Sequence, residues 1–90
     1  MEYHITVTRK ALKQICKIQK IQDRQRIFNG IEGLKHSDTW GDVRKLVNHQ
    51  YDYRLRIGNY RVLFNATNDL LIEVTDISVE EVKKRDDRTY

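Results

Sequence analysis

Arginine carries a permanent charge on a planar group whose donors match the oxygens of a phosphate. Three arginines stand in one short alternating stretch, Tyr51-Asp52-Tyr53-Arg54-Leu55-Arg56-Ile57-Gly58-Asn59-Tyr60-Arg61-Val62-Leu63-Phe64. Polar and apolar residues alternate on both sides of Gly58-Asn59, the sequence form of a β-hairpin with a two-residue turn. With Gly58 and Asn59 in the turn, Arg56 sits directly opposite Arg61, and Arg54 lies two residues along on the same face. Opposed Cβ atoms on paired strands are roughly 5 Å apart and diagonal ones about 7–8 Å. Three guanidinium groups therefore converge on one exposed face. Like charges directly opposite one another destabilise a sheet, so stability alone does not favour this arrangement. A polyanion on that face removes the repulsion; the competing reading is a solvated face on which long side chains splay apart. Tyr53, Leu55, Ile57, Tyr60, Val62 and Phe64 form the opposite, inward face.

Phosphodiester cleavage suits such a surface because electrostatics carries most of it. In RNA the 2′-hydroxyl attacks the adjacent phosphate, so the protein need not bring a nucleophile. The transition state requires cationic donors at the phosphorane oxygens and groups that handle two protons. Arginine fits the first task and is poor at the second. A tyrosine can exchange a proton with a reacting oxygen, and Tyr90 is the candidate in the tail. Other chemistries are poorly supplied. His4, His36 and His49 lie in three separate segments and the single cysteine makes no CxxC pair, so no metal site is expected. No phosphate-binding glycine motif is present, so no nucleotide cofactor is expected either. Cys16 falls on a helical pattern and reads as a small core residue, not a nucleophile.

The elements that must position the hairpin follow from periodicity. Tyr3-His4-Ile5-Thr6-Val7 alternates and reads as a strand with Tyr3, Ile5 and Val7 inward. Thr8 then N-caps a helix from Arg9 to about Ile21, with Ala11, Leu12, Ile15 and Ile18 as its apolar stripe. Lys10, Lys13, Lys17 and Lys20 fall elsewhere on its surface. Asp23 is the expected N-cap of a second helix to about His36, burying Ile27, Phe28, Ile31 and Leu34. Gly30 and Gly33 cost this helix roughly 1 kcal/mol each against alanine, which points to close packing. Ser37 to Asp42 reads as a polar loop with Trp40 as its anchor to the core. Val43 to Val47 reads as a short strand carrying Arg44 and Lys45, and Asn48-His49-Gln50 as the turn before the hairpin.

After the hairpin, a three-residue loop Thr67-Asn68-Asp69 keeps apolar residues on one face. It pairs Phe64 with Ile72 and Val62 with Val74, and sets Thr75 beside Arg61. Glu80 to Tyr90 is almost wholly charged and lacks apolar periodicity, the composition of a disordered tail or of a cover for the arginine face. The order strand, helix, helix, strands predicts one α+β domain over residues 1–90: a small antiparallel sheet with two N-terminal helices packed on one face.

Ninety residues, 39% apolar and 33% charged, suit a single modest core. No apolar run approaches the ~18 residues of a membrane span, and the first residues lack the layout of a secretory signal. One cysteine and no disulfide fit a reducing cytoplasm. The net charge of +4 permits a nucleic acid or an acidic protein as partner without choosing between them.

Lys45-Leu46, the run from Tyr53 to Phe64, a last strand and the basic tail Lys84-Arg85-Asp86-Asp87-Arg88-Thr89-Tyr90 together resemble RelE-type toxins of bacterial toxin–antitoxin pairs. The resemblance covers most of the chain, and the Tyr-Arg-Leu-Arg-Ile-Gly-x-Tyr-Arg-Val core marks the RelE/ParE superfamily without separating its two activities. It implies a RelE-like fold and an endoribonuclease that cuts messenger RNA in the ribosomal A site and so stops translation. It also implies a RelB-like antitoxin as partner. Positions of the family's catalytic surface match Arg54, Arg56 and Arg61, and further along Arg85 and Tyr90. Arg44, Lys45, Lys84 and Arg88 are further candidates for RNA contact. The family commonly has lysines where Arg54 and Arg56 stand, which leaves the general base unassigned. Glu80-Glu81-Val82 stands where relatives run into glycine and basic residues, a shift that admits Lys84 in place of Arg85. Two other readings stay open: a ParE-like inhibitor of DNA gyrase, and an inactive relative that binds an antitoxin.

Overall fold

The hairpin turn forms at the expected place. Gly58 has φ +55°, a value that L side chains rarely adopt, so a glycine heads the turn. In a computed structural model describing residues 2–69 and 74–84, the turn joins β3 (Tyr53–Ile57) to β4 (Tyr60–Asp69). Before them come β1 (His4–Val7), α1 (Arg9–Cys16), α2 (Ile21–Glu32), two short 3-10 turns at Gly33–Lys35 and Ser37–Thr39, and β2 (Asp42–Lys45). The last described element is β5 (Val74–Lys84). The five strands form one sheet in the order β1-β5-β4-β3-β2. The sheet is mostly antiparallel, and not wholly so as expected, because β1 runs parallel to β5.

Thr8 caps α1 as expected, its hydroxyl accepting from Ala11 N at 3.1 Å. The helix ends at Cys16, sooner than Ile21, with Lys17 N–H closing the last turn on Lys13 O. Ending there leaves Cys16 exposed, and Leu12 is also exposed while Ala11 and Ile15 are buried. α2 starts at Ile21 with Lys20 at its N-cap, so Asp23 lies in the first turn, where a negative charge faces the positive end of the helix. Ile27, Ile31 and Leu34 are buried as expected; Phe28 is exposed. The helix stops at Glu32 because the chain tightens into the first 3-10 turn, Gly33–Lys35, before reaching His36.

Both helices bury their stripes in one core with Leu55, Val62, Phe64, Ile77, Val79 and Val82 from the sheet. A Cβ on Gly30 would overlap Ile57 Cδ1, so the Ile57 side chain packs into the space that glycine leaves on α2. Trp40 anchors its loop: Nε1 donates to Leu34 O at 2.8 Å, and the ring lies 5.5 to 6.0 Å from those of Tyr3, Phe64 and Tyr53.

The partner of β4 differs from the expectation. Phe64 pairs with Val79 and Val62 with Val82, where Ile72 and Val74 were expected. The run Asn65 to Asp69 looks like a loop in polarity but continues the ladder, as far as Asp69 paired with Val74. Between Leu63 and Phe64 the register also slips by one, leaving Glu80 unpaired in a β-bulge. Without the slip, Glu81 would face Val62 in the core and Val82 would point outward. The bulge buries Val82 and sends Glu81 and Lys83 to the outward face. Thr8 holds it in place, its N–H donating to Val79 O at 3.0 Å and its hydroxyl to Glu80 O at 3.1 Å. Glu80 to Lys84 is therefore strand, not disordered tail. Arg85, Arg88 and Tyr90 lie outside the described residues.

Candidate functional site: the outward face of the sheet

Two rungs of side chains cross the outward face. The first runs Asp42, Arg56, Arg61, Lys83 from β2 to β5; the second runs Arg44, Arg54, Leu63, Glu81. The predicted opposition of Arg56 and Arg61 is present, with Lys83, not Thr75, on the far side of Arg61. Arg44 adds a second like-charged pair opposite Arg54. Five cations thus share eight positions with two carboxylates. Lys45 alternates to the other side, opposite Tyr53, and does not join them. Lys84 is opposite Tyr60 on the inward side, where it lines a cavity of about 520 Å³ with Lys17, Lys20 and Val82.

The three arginines differ in burial, contrary to the expectation of one exposed trio. Arg56 is exposed, while Arg61 is only 9% exposed. The Arg54 side chain is 12% exposed, with Nη1 3.2 Å from Asp42 O and 3.4 Å from Asp42 Oδ1. Asp42 thus holds Arg54 in place and stands opposite Arg56, trimming repulsion at the β2 edge.

Leu63 is the single apolar residue in these rungs and is buried, so something covers it. Tyr51, also buried, reaches over the same face. Its hydroxyl donates to Glu81 Oε2 at 2.9 Å, which carries the side chain from the loop before β3 to β5, across the row that holds Leu63. Backbone Tyr51 N donates to His49 Nδ1 at 3.1 Å, so the neutral imidazole has its proton on Nε2 and presents a donor.

Glu81 is the other unexpected member. It is 6% exposed and takes four partners: Tyr51, Gln14 Nε2 at 3.3 Å, Lys10 Nζ at 3.2 Å and Lys83 Nζ at 3.9 Å. Lys10 and Gln14 are one turn apart on α1, which lies along the edge of β5 once β1 has ended; Gln14 Oε1 also accepts from Val82 N at 2.7 Å. Burial pushes the Glu81 carboxyl up. The hydrogen bonds from Tyr51, Gln14 and Lys10, with the charge of Lys83, outweigh it and hold the group below the ordinary glutamate value, so Glu81 is ionised at neutral pH. Tyr51 is pushed the other way, first by its hydrogen bond to Glu81 and then by burial.

Neither residue stood out in the sequence. A signal existed: Ile77, Val79 and Val82 are core residues whose last spacing is three, and a regular strand allows only even spacings. The odd spacing marks the bulge that re-aims Glu81.

The described residues thus form a small mixed fold of two helices and a five-stranded sheet, with a cationic outward face built around a buried carboxylate. No family model matches the sequence, and no curated protein matches it either. Its fold is similar to that of a chain in the crystal structure of the archaeal RelE–RelB complex from Pyrococcus horikoshii OT3, with TM-score 0.75 and 22% identity over 97% of this chain and 99% of that one. It is also similar to a chain of the RelB–RelE antitoxin–toxin complex from Methanococcus jannaschii, with TM-score 0.65 and 22% identity over 87% of each chain. The likeness to these toxin–antitoxin proteins is one of fold.

Proposed function

We propose that this protein is the toxin of a type II toxin–antitoxin pair and an endoribonuclease that cleaves messenger RNA in the ribosomal A site. The observation that carries the reading is the opposition of Arg56 and Arg61, with Lys83 on the far side of Arg61 and Arg54 in the next rung, on a fold shared with chains of toxin–antitoxin complexes. Such a surface costs stability unless an anion occupies it, and a phosphodiester is the anion its planar donors fit. Arg61, nearly desolvated, is suited to stabilise charge that develops on the phosphorane oxygens. Arg54 is suited to orient the phosphate, and the exposed Arg56 and Arg44 to track the RNA backbone. Arg85, Arg88 and Tyr90 remain candidates in the tail. The proposed partner is a RelB-like antitoxin, and the site of action is the cytoplasm, where messages are translated.

The test is induction of the protein followed by mapping of RNA ends. Codon-phased cuts within translated messages support the reading. Intact messages with DNA damage and filamentation replace it with gyrase inhibition. Harmless expression with an antitoxin still co-purifying replaces it with an inactive binding module.

A further inference from the structure

A cationic face gathers and polarises a phosphate, but it does not take the proton of an attacking 2′-hydroxyl, and arginine does not serve as its base. The exposed imidazole nearby is not poised to do so, because His49 spends its Nδ1 lone pair on the Tyr51 backbone. An anion among these cations works against phosphate binding, so the buried Glu81 calls for a role that its charge serves. Both of its oxygens are engaged: Oε1 by Lys10 and Gln14, Oε2 by Tyr51. Its route to a substrate on the outward face runs through the Tyr51 hydroxyl.

We infer that Tyr51 and Glu81 form a proton relay, in which Tyr51 Oη receives the 2′-hydroxyl proton of RNA while passing its own proton to Glu81 Oε2. The inference rests on the ribonuclease reading above. In the step, the 2′-oxygen bonds to phosphorus and the bond from phosphorus to the 5′-oxygen breaks. The 5′-oxygen leaves with a proton from water, and Glu81 returns its proton through Tyr51 to the hydroxide that remains. The products are a 2′,3′-cyclic phosphate and a 5′-hydroxyl, with no atom gained or lost.

The surroundings support this assignment. Tyr51, raised in pKa by Glu81, stays a neutral phenol, so it can accept a proton only by giving one up. Glu81 is faced by Lys10 and Gln14 from α1, by Lys83 on its own strand, by Tyr51 from the loop, and by Arg61 diagonally from β4. Tyr51, Gln14, Lys10 and Lys83 keep it ionised, hence able to receive, well into mildly acidic pH. The 2.9 Å contact and the burial of both side chains hold the two oxygens in line without solvent between them.

The experiment is single-turnover cleavage of messenger RNA on programmed ribosomes by wild type, E81Q and Y51F, between about pH 5.5 and 8.5. The wild-type rate is expected to stay level as the pH falls toward 6, and each variant to be slowed about 100-fold while ribosome binding is kept. Y51F retains every charge around Glu81 and removes only the hydroxyl, so it carries the test if E81Q is poorly folded. A Y51F protein that cuts at the wild-type rate overturns the relay and leaves the ribonuclease reading standing. So does a wild-type rate that falls steeply below neutral pH, which points to a base of higher pKa. A wild-type protein that leaves the message uncut overturns both.

Discussion

Arg56 and Arg61 face each other across the β3–β4 hairpin, yet Arg56 is exposed and Arg61 is almost fully buried. The asymmetry divides the labour of the face. A buried guanidinium acts in a weakly screened setting, where its charge has most effect on a transition state. An exposed one interacts through solvent and contributes mainly to gathering a polyanion.

Arg61→Ala is expected to abolish growth arrest on induction and to slow cleavage by roughly 10²–10³-fold, as loss of one preorganised donor does. The fold should persist, as checked by circular dichroism of the purified variant. Undiminished toxicity from a folded variant removes Arg61 from the site.

Arg56→Ala should instead weaken RNA binding with little change in the bound-state cleavage rate. Because it deletes one phosphate contact, the slope of log affinity against log salt for single-stranded RNA should fall by about 0.7. Fluorescence titration at several salt concentrations measures it.

Glu81 gives stability an acid limit. Its folded-state pKa lies below the ordinary value of 4.5, so protonation favours the unfolded chain. The contribution is complete above the unfolded value and is lost as pH falls through the folded one. Urea midpoints should therefore hold level from neutral pH to about 5 and then drop, and E81Q should flatten that drop. Tyr51, shifted upward, behaves oppositely: its contribution is present below pH 10 and lost as pH rises beyond it.

Gly30→Ala tests the contact between α2 and β3. The new methyl would overlap Ile57 Cδ1, with Leu55 Cδ2 at 3.3 Å, so the Ile57 side chain must leave its place in the core or the helix must lift from the strand. A destabilisation of about 1–3 kcal/mol is expected from overpacking, despite alanine's better helix propensity. Urea unfolding followed by Trp40 fluorescence reads it directly.

The hairpin was legible in the sequence because two independent signals agreed: strict alternation and a Gly-Asn pair where a tight turn needs one. The inward set, Leu55, Val62 and Phe64 with the half-buried Tyr53, Ile57 and Tyr60, followed from that register. So did the anchoring of Trp40, since a large aromatic in a polar loop has few other uses. Helix ends were less legible: α1 stops at Cys16 and α2 begins at Ile21 without a side-chain cap. The partner of β4 was hidden because Asn65 to Asp69 has loop polarity, while its backbone groups are paired with β5.

What the sequence by itself determined is the convergence of Arg54, Arg56 and Arg61, since strand alternation and a two-residue turn leave their side chains no other face. Which arginine is buried, and what stands beside it, was decided only in three dimensions. Tyr51 lies 30 residues from Glu81 along the chain and Gln14 lies 67 from it, yet both meet its carboxylate. No local pattern encodes such contacts. They arise because β1 ends at Val7, α1 takes over the edge of β5, and a one-residue bulge rotates Glu81 out of the core. The charged face is a property of periodicity; the acid within it is a property of the fold.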